Sequence, residues 1–89
     1  MKTIWKYQLR HLVTVLDMPS GAEILTVQMQ GEDLCIWALV DPSQPNEARQ
    51  FHVYPTGAIE APDSAECYVG TVMNLNDSQV WHVFEEDVE

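Results

Sequence analysis

Positive charge is what this chain has least of. Lys and Arg together number 4 against 14 Asp and Glu, a formal charge of −10 over 89 residues. Such an excess of acid repels phosphate backbones and anionic bilayers, so direct binding to nucleic acid or to a membrane surface is not expected. No apolar run approaches the ~20 residues that a bilayer-spanning helix needs. Glycine is as scarce, and 4 in the whole chain cannot build a glycine-rich phosphate cradle. There is no G-x-S-x-G elbow, no H-E-x-x-H and no EF-hand spacing. The 2 cysteines, Cys35 and Cys67, lack the paired spacing of a zinc site, and each lies in an apolar, strand-like run. Both read as buried, reduced thiols. The first residues, Met1-Lys2-Thr3-Ile4-Trp5-Lys6-Tyr7, carry charge but no apolar core and no small-residue cleavage site, so they do not read as a secretion signal. The expected compartment is the cytoplasm, with no metal and no cofactor.

What is present is alternation. Trp5, Tyr7 and Leu9 share one face of an extended segment, and Lys6, Gln8 and Arg10 share the other. Residues 12–16 form a β-branched run, with His11 marking a bend before it and Asp17-Met18-Pro19-Ser20-Gly21 ending it. Residues 23–30 place Leu25, Val27 and Met29 opposite Thr26, Gln28 and Gln30. Gly31-Glu32-Asp33 then leads into residues 34–40, and a short glycine-containing link between two such runs predicts a hairpin. The second run is apolar on both faces, the mark of a central strand.

Further strands are predicted over residues 49–55, 66–75, with Gly70 at a bulge, and 79–84. In the first of these, Phe51 and Val53 oppose His52 and Tyr54; in the last, Val80, His82 and Phe84 oppose Trp81 and Val83. No segment sustains a 3.6-residue stripe, although a short helical turn near residues 58–65 is compatible with the pattern. The sum is an all-β domain over residues 1–84: a small antiparallel sandwich or partly open barrel of about seven strands, with little or no helix. Residues 85–89 read as an acidic C-terminal tail. At least two of the three tryptophans are expected in the core. Three of the four cations (Lys2, Lys6, Arg10) lie near the N-terminus and four acids lie in the last five residues, so the terminal strands are expected to be neighbours.

Two polar connections, residues 41–48 and 55–65, are the best places for recognition, because loops on a rigid scaffold carry function more often than the scaffold does. The candidate binding residues are Asp41, Asn46, Glu47 and Arg49 on or beside the first, Tyr54, Glu60 and Asp63 on or beside the second, and Glu32 and Asp33 at the hairpin tip. His52 and His82 would approach each other if their strands pair, with Asp41 or Asp77 at a strand end. That is the one arrangement suited to acid–base chemistry. In the absence of a motif, a non-enzymatic role is the expectation.

Several stretches carry a family likeness. Lys6-Tyr7-x-Leu9, the run from Pro19-Ser20-Gly21 to Gln28, Trp37-Ala38-Leu39-Val40-Asp41-Pro42, Thr56-Gly57, Tyr68-Val69-Gly70-Thr71 and Trp81-His82-Val83-Phe84-Glu85 follow in order over most of the chain. Together they resemble a family of small uncharacterised phage and prophage proteins. The resemblance transfers no catalytic or ligand residue. It implies a phage-encoded accessory protein in the bacterial host cytoplasm that binds a host or phage protein, including defence machinery, and the acidic surface suits a partner with a basic one. The alternatives are a homo-oligomeric binder of a nucleotide signal using Arg49, Lys6 or Arg10, a hydrolase built on His52 or His82, and a virion component. Exposed edge strands offer a route to homo-oligomers.

Overall fold

The computed structural model describes residues 1–74 and 78–86. Seven strands form two antiparallel sheets packed face to face: β1 (Thr3–Gln8), β2 (Val13–Pro19), β3 (Glu23–Gln30), β4 (Asp33–Val40), β5 (Asn46–Pro55), β6 (Tyr68–Asn74) and β7 (Gln79–Glu86). One sheet has the order β1-β4-β3 and the other β2-β5-β7-β6. No described residue is helical, and neither sheet closes on itself, so the fold is the expected sandwich and not a barrel. No described helix is long and apolar enough to cross a membrane.

The core is what alternation delivers when two sheets meet. Phe51, Met18, Ile36, Val40 and Val83 are fully enclosed, with Leu9, Ala38, Val27, Val53 and Val72 beside them. The apolar run 34–40 is indeed central, flanked by β1 and β3. The hairpin between β3 and β4 is also where the glycine placed it. Gln30 pairs with Asp33, and the two-residue turn Gly31-Glu32 has positive φ (63°) at Gly31 alone among its residues, the pattern of a type II′ turn.

The structure departs from the sequence expectations at several points. In β3 the register shifts between Ile24 and Thr26, so Leu25 is extruded and half exposed while Ile24 turns inward to the core. A bulge moves every side chain on one side of it to the opposite face, which the simple alternation of Leu25, Val27 and Met29 does not reveal. β2 runs on through Met18 and Pro19 instead of stopping at residue 16. Leu12 accepts a bond from the Val53 N–H and Ser20 donates to Pro45. Even-numbered residues of β2 therefore face β5, and odd-numbered ones face away. Pro19 is odd, so its missing N–H costs the ladder nothing. This extension draws Asn46 and Glu47 into β5, opposite Pro19 and Met18, out of the expected loop.

The terminal strands are not neighbours. β1 pairs with β4 and β7 lies between β5 and β6 in the other sheet, because each is matched to the partner that buries its apolar face, an effect larger than exposed ion pairs supply. β7 continues to Glu86, so Glu85 and Glu86 belong to the sheet, paired with Phe51 and Gln50, and not to a tail. Residues 87–89 and Asp77 lie outside the described residues. No tryptophan is fully buried. Trp81 packs against the core, Trp37 stands on the outer face of its sheet opposite Lys6, and Trp5, in the middle of β1, is exposed. Cys35 is buried, but Cys67 is exposed, since it sits in the turn before β6 and not within the strand.

Gly70 marks the expected bulge, where the β6–β7 register shifts. It also lets β6 approach β3, for a Cβ there would stand 2.5 Å from Val27 Cγ1. Val27 is β-branched and buried, so it cannot rotate away cheaply. Gly70→Ala is expected to destabilise the fold by roughly 1–3 kcal/mol in urea unfolding, and Val27→Ala in the Gly70→Ala background should recover part of that loss.

Candidate functional site

Period 2 that buries Phe51, Val53 and Val83 necessarily presents their neighbours outward. On β5 these are Gln50, His52 and Tyr54; on β7 they are His82, Phe84 and Glu86. The β5–β7 register sets His52 opposite Phe84 and Tyr54 opposite His82, and the β6–β7 register adds Tyr68 beside Phe84 and Thr71 beside His82. The outer face of the four-stranded sheet thus carries a continuous cluster of two histidines and three other aromatic rings.

The rings contact one another. Tyr54 and Tyr68 both meet Phe84 edge to face, at centroid distances of 5.7 and 5.5 Å, and His52 stacks on Tyr54 at 6.0 Å. Polar atoms fix the arrangement. Tyr54 donates its hydroxyl to Glu86 Oε1 (2.8 Å), whose other oxygen lies 3.0 Å from His52 Nε2. The Gln50 amide nitrogen lies 2.6 Å from the same His52 nitrogen. A neutral Nε2 can accept from Gln50, whereas a protonated one donates to Glu86 and requires the amide to turn over. His82 is held at both ring nitrogens by hydroxyls, Nε2 to Thr56 Oγ1 (2.7 Å) and Nδ1 to Thr71 Oγ1 (2.9 Å). Since a hydroxyl can donate or accept, that site tolerates either neutral tautomer and the cation.

Beside the cluster, Leu12, Val13, His52, Tyr54, Pro55 and Ile59 line a shallow apolar groove with Glu60 at its rim. Leu12, Val13, Val15 and Ile59 are all at least half exposed. The face is therefore an apolar and aromatic surface with histidine hydrogen bonding and a carboxylate rim. His52 lies within hydrogen-bond reach of Glu86, so a histidine–carboxylate pair does exist. It occupies an open sheet face and not a cleft, and its hydrogen bonds are spent on neighbouring side chains. Among the described residues no group of three or more His, Cys, Asp and Glu is placed to hold a metal ion.

The predicted binding residues are dispersed by the fold. Tyr54 and Glu60 do come together, on the groove. Asp63 lines a separate small depression that also reaches Phe84 and Glu86. Glu32 and Asp33 lie at one end of the sandwich, lining an open concavity with Arg10, His11, Leu9 and Trp81. Asp41, at the opposite end of β4, folds back on its own loop, accepting from the Ser43 N–H (3.0 Å) and hydroxyl (2.7 Å), which holds its carboxyl below the usual range. Asn46 and Glu47 are exposed strand residues.

Arg49 is a clamp and not a ligand site. It grips Glu85 through Nε (2.6 Å) and Nη2 (2.7 Å) and donates Nη1 to the Ala22 carbonyl (2.5 Å), tying β5 to β7 and to the connection that leads into β3. The side-chain bond to Glu85 holds its pKa above the ordinary value despite burial. Arg49→Met is expected to cost roughly 1–3 kcal/mol in chemical denaturation, between the values for exposed and fully buried pairs.

Burial, and then the bond to Glu86, push the Tyr54 phenol up from 10.0 to about 12. Burial raises Tyr7 as well, partly offset by the Arg49 charge. A folded-state pKa above the unfolded one means that this stability is complete below about pH 10 and is lost as pH climbs toward about 12. Titration of the near-ultraviolet tyrosinate band should show one phenol ionising near pH 12, shifted down by Glu86→Gln, and Tyr54→Phe should lessen the alkaline loss of stability.

The model of one family, described as a domain of unknown function (DUF7352), matches residues 1–89, and the chain belongs to that family. No curated protein and no solved structure matches the chain.

Proposed function

We propose that this member of the DUF7352 family is a non-enzymatic interaction protein that docks a basic, partly apolar protein surface onto the outer face of the β2-β5-β7-β6 sheet. The observation that carries this reading is the joining of the Tyr54–Phe84–Tyr68 ring cluster to exposed Val13, Val15 and Ile59, with Glu60 and Glu86 at hand. Aromatic anchors beside exposed aliphatic side chains are the composition of a recognition patch. A chain of charge −10 draws in cationic partners and repels anionic ones.

The resemblance to phage and prophage proteins supports a host or phage protein as that partner, in the bacterial cytoplasm, with inhibition of a defence factor as the biological outcome. A nucleotide-signal binder is less well supported. Of the cations it would use, Arg49 is committed to Glu85 and Ala22, and Lys6 donates to Gln30 (2.6 Å).

Affinity capture from bacterial lysate with three versions of the tagged chain tests the reading. The wild type should retain a specific protein that salt elutes. The surface variant Ile59→Lys/Glu60→Lys should lose it by roughly tenfold or more, while Leu25→Ser, on the other sheet, should keep it. No specific protein, or equal retention by the groove variant, would contradict the assignment.

A further inference from the structure

Two open sheets leave four free strand edges among the described residues: β1 and β3 on one sheet, β2 and β6 on the other. Such edges are templates for another strand unless something blunts them. Three are blunted. β1 carries Lys6 within the strand and Lys2 just before it. β3 is interrupted by the bulge at Ile24/Thr26 and β6 by the one at Tyr68/Gly70. β2 has neither. Its pairing with β5 runs without a register shift from Val13 to Pro19, it bears no charge before Asp17, and its outward side chains Val13 and Val15 are 51% and 53% exposed.

We propose that β2 is a self-association edge, at which two copies of this chain pair antiparallel and join their four-stranded sheets into one of eight strands. The backbone alternation limits the registers available. Because even-numbered residues bond to β5, the free N–H and C=O groups belong to Val13, Val15 and Asp17. A symmetric pair must therefore match odd residues with odd ones. Centring the two-fold on Thr14 sets Val13 against Val15 of the second copy, twice, and brings Asp17 level with His11, in the bend just before the strand of the second copy, twice. Centring it on Val15 instead would oppose Val13 to Asp17, an apolar group to a carboxylate. The first register pairs like with like in the middle and places a carboxylate opposite an imidazole at each end.

Charge selects a second copy over an unrelated strand. All 14 acids lie from Asp17 onward, and residues 1–16 hold three cations and no acid. In this register the carboxylate at the end of one β2 meets the acid-free segment of the other copy, which relieves the repulsion that the net charge would otherwise impose. The dimer would also make the outer face continuous, with the four valines between two His52 groups, since Val13 neighbours His52 across the β2–β5 ladder.

Purified chain alone tests this, separately from partner capture. Light scattering behind size exclusion, over rising concentration, should show a monomer–dimer equilibrium. Val15→Glu should weaken it by roughly tenfold or more with unchanged circular dichroism. His11→Asp should weaken it several-fold, by opposing two carboxylates, and His11→Asp/Asp17→His should restore it, by exchanging the two end groups. In a Cys67→Ser background, mild oxidation should link Thr14→Cys chains to each other, since Cα atoms of a non-hydrogen-bonded pair lie about 4.5 Å apart, within disulfide reach. A chain that stays monomeric at the highest concentration, or a dimer indifferent to Val15→Glu, would overturn the proposal. Linkage through Val15→Cys in preference to Thr14→Cys would overturn the register.

Discussion

The structure rests on one constraint: every strand owes one of its two faces to a core assembled largely from small side chains. Among the described residues Phe51 is the only aromatic ring fully enclosed by it, and beside it stand five valines, Ala22, Ala38, Cys35, Ile36, Met18 and Leu9. A domain of this size has little apolar area to spend, so the burial of that single layer sets the sheet order, the register and the inter-sheet approach at Gly70. Electrostatics is subordinate. The N-terminal cations do not bring the first strand to the last, and the Arg49–Glu85 ion pair lies within one sheet, between neighbouring strands β5 and β7 that the core has already brought together.

The functional face follows from the same constraint. Once Phe51, Val53 and Val83 point inward, His52, Tyr54, His82 and Phe84 have only the outer surface left to occupy. Their order there is not loose. Glu86 holds Tyr54 and His52, and Thr56 and Thr71 hold His82, so the ring cluster is presented in a fixed geometry. A pre-ordered aromatic patch loses little side-chain freedom on docking a partner, which favours recognition by surface contact.

Much of this was legible in the sequence, and the failures share a cause. Strand positions, the central placement of residues 34–40, the turn at Gly31 and the bulge at Gly70 follow from local chemistry. Which strand lies beside which does not, because alternation assigns a face but names no neighbour. Leu25 misleads for a related reason, since a bulge is a property of the pair and not of either strand. Arg49 looked like a free cation until its partner Glu85 was in place. Glu86 read as tail because four acids close together resemble a solvated terminus, yet it is the residue that ties Tyr54 to His52. Even numbering had placed His52 with Tyr54 and His82 with Phe84; only the register unites the two pairs.

The central claim is that inside and outside alternate along every strand around one shared core. Residue-resolved amide hydrogen exchange on dilute protein tests it most directly. The account predicts slowest exchange in the interior strands β4, β5 and β7, and along β2 slow exchange at Thr14, Leu16 and Met18 with fast exchange at Val13, Val15 and Asp17. Uniform protection along β2 at concentrations too low for association, or interior strands no slower than β1, would contradict it.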